Sequence, residues 1–121
     1  MRIMFDVSGT VLGIIDLSLR PGIKMTIDGL RQNGMEVDFW TSGPVDYYSS
    51  LLARSGLGGV VYKKMEPLPF TPDICVDDDP DDWFAAKTYR VTPHLGADMP
   101  GDVILVAELL QSQSGENFYW D

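Results

Sequence analysis

The feature that most constrains this chain is a repeated figure: a short apolar run that stops abruptly at polar or charged residues. Ile3–Phe5 stops at Asp6, in the stretch Asp6-Val7-Ser8-Gly9-Thr10. Residues 35–43 (MEVDFWTSG) end in Thr41-Ser42-Gly43, and residues 58–64 (GGVVYKK) end in Lys63-Lys64. Residues 73–82 (DICVDDDPDD) run into five aspartates within six positions. Apolar runs this short read as buried strands. Amphipathic stretches separate the first three. In RPGIKMTIDGLRQNG, Ile23, Ile27 and Leu30 recur at helical spacing, with Pro21 in a first turn and Gly34 as a C-cap. After Pro44, Val45, Tyr48, Leu51 and Leu52 mark a second helix that stops near Gly56. Strand and helix in alternation predict βαβ units and a parallel sheet, the α/β class.

The remaining segments fit around that frame. LGIID (12–16) reads as a short strand or as part of a hairpin-like flap. EPLPFTP (66–72) is a proline-rich connection. Trp83, Phe84 and Ala86 predict a short helix, TYRVTPH (88–94) a fifth strand, and MPGDVILVAELL (99–110) a last helix whose VILV core also reads as a strand. The tail is polar and then aromatic, through Phe118, Tyr119 and Trp120. At 121 residues, 45% of them apolar, the chain has the size and composition of one packed domain, 1–121. GLGG (56–59) lacks the preceding strand that a dinucleotide-binding loop needs, so it reads as a helix stop and turn.

Charge narrows the function. The formal net charge is -9. That repels phosphate backbones and anionic membrane surfaces, so neither direct nucleic-acid binding nor membrane association is expected. No stretch reaches the roughly 20 apolar residues of a membrane span, and no secretory signal follows Arg2. The single cysteine, Cys75, allows no intrachain disulfide and sits in an apolar run, as a buried small hydrophobe does. A cytoplasmic location follows as an expectation. The lone histidine, His94, has no partner for a zinc site and reads as a loop or strand-end residue.

In an open parallel sheet, ligands bind at the carboxyl ends of the strands. The polar clusters would therefore converge: Asp6 with Ser8, Gly9 and Thr10; Thr41 with Ser42; Lys63 with Lys64; Asp77 with Asp78. Carboxylates brought together from two strands raise one another's pKa unless a cation separates them. Mg²⁺ suits such a set, because it takes oxygen ligands from one or two carboxylates, from waters and from a substrate phosphate. Asp6 with Asp78 or Asp77 is the natural pair, and a backbone carbonyl in the turn from Asp6 to Ser8 can add an oxygen. A carboxylate beside the ion can act as a nucleophile toward phosphorus. Thr41, Ser42 and nearby backbone N–H groups can take phosphate oxygens, and a lysine can offset developing charge. Taken singly, each cluster also has a plainer reading: a turn at residues 6–10, a helix cap at 41–44, a surface lysine pair, a solvated acidic loop.

In their order these clusters resemble the haloacid dehalogenase superfamily of phosphatases and phosphotransferases. IMFDVSGTV resembles its first motif, VDFWTS its second, Lys63 or Lys64 its third and ICVDDDPDD its fourth, over residues 3–82. The resemblance implies a Rossmann-like three-layer αβα sandwich with a mostly parallel central sheet. It implies Asp6 as nucleophile and magnesium ligand, Thr41 and Ser42 on phosphate, and Lys63 or Lys64 steadying both. It implies Asp78 on the metal, with Asp77 or Asp82 assisting. The gaps where such proteins insert a cap hold only the flap and helices above, so the chain resembles a minimal capless member. The substrate would be a phosphorylated small molecule or macromolecule, with self-association as a way to supply a lid. One position departs: Ser8 stands where the family's phosphatases carry the Asp that serves as general acid and base. Acid–base help of that kind is typically worth about 10²–10⁴-fold. Two expectations follow, a Mg²⁺-dependent phosphatase acting through Asp6, or a catalytically weakened relative that binds or regulates.

Overall fold

The structure, a computed structural model, describes residues 1–80 and 87–113. Among the described residues, β1 (Arg2–Asp6), β2 (Glu36–Thr41), β3 (Val61–Lys63), β4 (Ile74–Asp77) and β5 (Lys87–Arg90) form one sheet in the order β3-β2-β1-β4-β5. All four pairings are parallel. Three helices among the described residues accompany the strands, α1 (Ile23–Gln32), α2 (Val45–Arg54) and α3 (Val106–Gln113). The α/β expectation holds: this is a small Rossmann-like sandwich on an all-parallel sheet.

Strand alternation divides the core. Ile3, Phe5, Val37, Phe39, Val61, Ile74 and Val76 face one side, where Ile23, Ile27 and Leu30 of α1, Leu52 of α2 and Leu109 of α3 close over them. Met4, Trp40 and Cys75 face the other side, covered by Tyr62, Leu68 and Phe70. The proline-rich connection thus does the work of a layer. Phe70 meets Tyr62 edge-on at 5.5 Å between ring centroids and lies 4.1 Å from the Arg2 guanidinium. Handedness explains the division. The chain steps from β1 to β2 to β3 in one direction and then reverses to β4, and right-handed crossovers put the two directions on opposite faces.

α1 and α2 stop alike. Gly34 N–H donates to Arg31 O at 3.0 Å and Met35 N–H to Leu30 O at 3.1 Å; Gly56 and Leu57 repeat the pattern onto Ala53 and Leu52. Both are Schellman caps, as the glycine positions lead one to expect.

Several bounds move. α1 begins at Ile23 behind Gly22, so Pro21 precedes the helix instead of opening it. Strand 35–43 shortens to Glu36–Thr41, 58–64 to Val61–Lys63 and 88–94 to Lys87–Arg90. Residues 12–16 take the flap alternative: Leu12 bridges Leu19 antiparallel, Gly13 N–H donates to Ser18 O at 2.7 Å, and Ile14 and Ile15 stand exposed at the turn. The helix expected over 99–110 is corrected. Residues 101–105 are irregular and the helix occupies Val106–Gln113. Pro100 cannot donate, and the backbone beyond it is engaged elsewhere: Asp102 O accepts from Arg20, Asp102 N–H donates to Thr92 Oγ1, and Ile104 O accepts the Thr26 hydroxyl. The short helix at Trp83, Phe84 and Ala86, residue Asp82 and the aromatic tail lie outside the described residues. No described helix is long and apolar enough to cross a membrane.

Candidate functional site

β1 and β4 end side by side. Phe5 pairs with Val76, so Asp6 and Asp77 follow one step later at the carboxyl edge. Both are buried, at 5% and 1% exposure. Like charges so placed need a counter-charge. Lys64 supplies it from the end of β3: its Nζ lies 2.8 Å from Asp6 Oδ1 and 2.9 Å from Asp77 Oδ2. Lys64 N–H also donates to Thr41 O at 2.8 Å, which anchors its backbone at the same edge.

Asp78 completes the group through Thr10. The Thr10 hydroxyl lies 3.2 Å from Asp6 Oδ2 and 3.1 Å from Asp78 Oδ1, and it accepts the Asp78 N–H at 3.1 Å. One hydroxyl proton serves two carboxylates, so an oxygen is left short of a donor. One carboxylate oxygen each from Asp6, Asp77 and Asp78 lies within 4.8 Å of the others. Gly9 makes room for this. Its φ is +86°, and a Cβ there would stand 2.7 Å from Asp78 Oδ2. Asp79 N–H donates to Asp77 Oδ1 at 3.0 Å and so aims that carboxylate.

The electrostatics follow from crowding. Burial first, then the neighbouring Asp77 and the contact with Asp78, hold the Asp6 carboxyl up at about 8, against the downward pull of Lys64. Burial alone would lower the Lys64 ammonium, but Asp6 and Asp77 reverse that and carry it up. A site of three carboxylates and one ammonium, with a carboxyl that resists ionising, fits a hard cation: the donors are all oxygens and the excess charge is negative.

The other expected residues sort around this centre. Lys63 does not enter it; its Nζ donates to Ser42 O at 2.8 Å and Gly43 O at 2.9 Å. Strand alternation explains why neighbours part, since Lys64 shares the phase of Tyr62 and Lys63 that of Val61. Thr41 is buried one residue past the Asp6–Trp40 pair, and its Oγ1 accepts the Gly43 N–H at 3.0 Å. Ser42 is exposed. Ser8 is half-buried, in the turn between Asp6 and Thr10, and its backbone bridges Leu12.

Two further side chains lie under the site. His94 is buried; its Nδ1 accepts the Gly101 N–H at 3.1 Å, and its Nε2 lies 3.0 Å from Ser18 O. With both ring nitrogens bonded, the ring is structural, in keeping with its reading as a loop residue. Arg20, almost wholly buried, was not anticipated: nothing local in LSLRPG marks an arginine that folds inward. Asp16 pins the flap. Its carboxylate accepts from the Ser18 hydroxyl, Ser18 N–H and Ala97 N–H, and these bonds, the hydroxyl foremost, hold it down at about 2. Cys75 is buried, and its thiol is pushed up to about 12 by burial and then by Asp77, which leaves it inert at neutral pH. No protein-family model, curated protein or solved structure matches the chain.

Proposed function

We propose that this chain is a Mg²⁺-dependent phosphohydrolase that acts through Asp6. The observation that carries the reading is the convergence of Asp6, Asp77 and Asp78 within 4.8 Å, with Lys64 between Asp6 and Asp77. The ordered resemblance to the haloacid dehalogenase motifs supports the same chemistry. Asp6, Asp77 and Asp78 would hold the cation, which when bound withdraws charge from a phosphoryl group. An Asp6 oxygen attacks phosphorus, and the bond to the leaving oxygen breaks. Water then attacks the acyl phosphate, releasing inorganic phosphate and restoring the carboxylate. Lys64 stays beside Asp6 throughout and offsets charge on the phosphoryl oxygens. Thr41 and the backbone at Ser42 offer further donors to those oxygens.

Ser8 shapes the expected substrate preference. It is a poor proton donor at neutral pH, so the leaving group must depart without acid help. Activated esters such as aryl phosphates should react fastest. Ser8 also motivates the second reading, a cation-responsive binding or regulatory domain in which turnover is vestigial.

Hydrolysis of an aryl phosphate, with Mg²⁺ or with EDTA, tests the proposal. Wild type should turn over only with Mg²⁺, and Asp6→Asn should lose at least about 10³-fold in kcat. Turnover that survives in Asp6→Asn would overturn the nucleophile assignment. No turnover on a panel of phosphoesters, together with a Mg²⁺-raised Tm, would favour the regulatory domain.

A further inference from the structure

Arg20 is 1% exposed, and its guanidinium is spent on backbone carbonyls. Nε donates to Thr10 O at 2.6 Å and Nη1 to Asp102 O at 2.7 Å. Nη2 donates to Gly9 O at 3.3 Å and also to Thr92 O. A buried cation among neutral acceptors is costly to desolvate, so what it holds together matters. Two of its four acceptors belong to Gly9 and Thr10. Both lie against the carboxylates: a Cβ on Gly9 would stand 2.7 Å from Asp78 Oδ2, and Thr10 places its hydroxyl between Asp6 and Asp78. The other two belong to the segment that follows β5. The arginine thus ties the turn after β1 to a distant part of the chain from beneath the site.

The surroundings are shaped to the guanidinium. A Cβ at Gly101 would stand 2.5 Å from Arg20 Nη1 and 2.6 Å from Cζ. The Gly101 N–H in turn donates to His94 Nδ1, and the His94 N–H donates to Gly9 O at 2.7 Å. Gly9 O is therefore held from two sides. A lysine cannot copy this, because only a planar fork reaches acceptors from several segments at once.

We infer that Arg20 is a positioning residue for the acidic site: by bonding the carbonyls of Gly9, Thr10, Thr92 and Asp102, it fixes the turn at the depth where Thr10 bridges Asp6 and Asp78. Its kinetic consequences rest on the phosphohydrolase reading; its geometric consequence does not.

The test is amide hydrogen exchange at Asp78, whose N–H donates to Thr10 Oγ1, in wild type, Arg20→Lys, Arg20→Met and Gly101→Ala. The last keeps the charge but displaces the guanidinium. Amides of α1 and β2 report on the fold. Asp78 protection should fall at least about tenfold in every folded variant while α1 and β2 stay as in wild type, and the Kd for Mg²⁺ alone should rise by about 10–100-fold, the usual cost of losing a group that orients ligands. Lysine should not rescue. Asp78 protection within about twofold of wild type in any folded variant would overturn the inference. If Arg20→Lys and Arg20→Met do not fold, Gly101→Ala decides. If wild type binds no Mg²⁺, the proposed function fails while the exchange result still judges Arg20.

Discussion

The carboxyl edge of the sheet has two halves that differ in construction. At the ends of β1 and β4, Asp6, Asp77, Asp78 and Thr10, with Lys64 reaching over from the end of β3, form a closed set of short polar contacts, buried or partly buried. On the β2–β3 half, Thr41 makes a local turn with Gly43, Ser42 lies exposed, and Lys63 reaches across to two carbonyls in partly open surroundings. Strand phase separates them. Asp6, Lys64 and Asp77 lie two residues beyond Met4, Tyr62 and Cys75, on the face under the proline-rich cover. Thr41 and Lys63 lie two beyond Phe39 and Val61, on the helical face. One half gathers charge into a packed set, and the other spends its polar groups on a local turn.

The sharpest way to break this comparison is to remove the counter-charge. Lys64→Met leaves Asp6 and Asp77 side by side with no cation. Breaking a buried pair typically costs about 3–5 kcal/mol, and the low end is expected here because the Asp6 carboxyl, held up at about 8, is already largely protonated at pH 7. Thermal unfolding at pH 7 should show the loss, and Mg²⁺ should recover part of it. A Lys64→Met protein as stable as wild type would mean that the closed half is not held by charge.

Gly9→Ala comes next. The added Cβ meets the Asp78 carboxylate, and φ is unfavourable. About 2 kcal/mol of stability should be lost, within the usual cost of such strain, with weaker Mg²⁺ binding. Alanine at Gly58, where a Cβ meets nothing within 4 Å, is the matched control.

Titration sharpens the contrast in a third way. The Asp6 carboxyl sits at about 8 in the fold against an ordinary 3.8. Folding therefore favours its protonated form, so the associated stability is complete below about pH 4 and is lost as pH rises toward 8. The slope is at most about 1.4 kcal/mol per pH unit for one proton. Without divalent cation, Tm should fall from pH 6 to pH 8. With saturating Mg²⁺ that fall should flatten, because cation binding displaces the proton, and the Mg²⁺-induced rise in Tm should grow over the same range. Asp6→Asn should flatten both slopes; a wild-type Tm independent of pH would contradict the crowding described above.

How much of this was legible beforehand follows from the range of each interaction. The strands were, though not their bounds, because apolar runs that halt near Asp6, Thr41, Lys63 and Asp77 mark a buried strand and its carboxyl end. The convergence of Asp6 with Asp77 and Asp78 was too, because parallel strands share an edge. The choice between Lys63 and Lys64 lay within reach, since the phase set by Val61 and Tyr62 assigns each lysine a face once the two faces are told apart. Arg20 was out of reach. Its acceptors are carbonyls up to 82 residues away, and backbone carbonyls leave no trace in a sequence. The helical pattern over 99–110 is overridden for the same reason, because residues 101–105 are held by contact with Arg20, Thr26 and Thr92.

The smallest expected effect belongs to Lys63 and bears most directly on the comparison. Its ammonium bonds two carbonyls on a partly exposed turn, so Lys63→Met should change stability by no more than about 0.5 kcal/mol, as at other surface positions. If its role is to shape the Thr41–Gly43 turn, the variant should raise KM for an aryl phosphate a few-fold and leave kcat almost unchanged, because uniform binding is lost and transition-state contacts are not. Lys64→Met in the same assay should lower kcat. A Lys63→Met variant with the kcat loss of Lys64→Met would mean that both lysines serve the reacting phosphoryl group. The strand phase that separates them at rest would then have to give way when substrate binds.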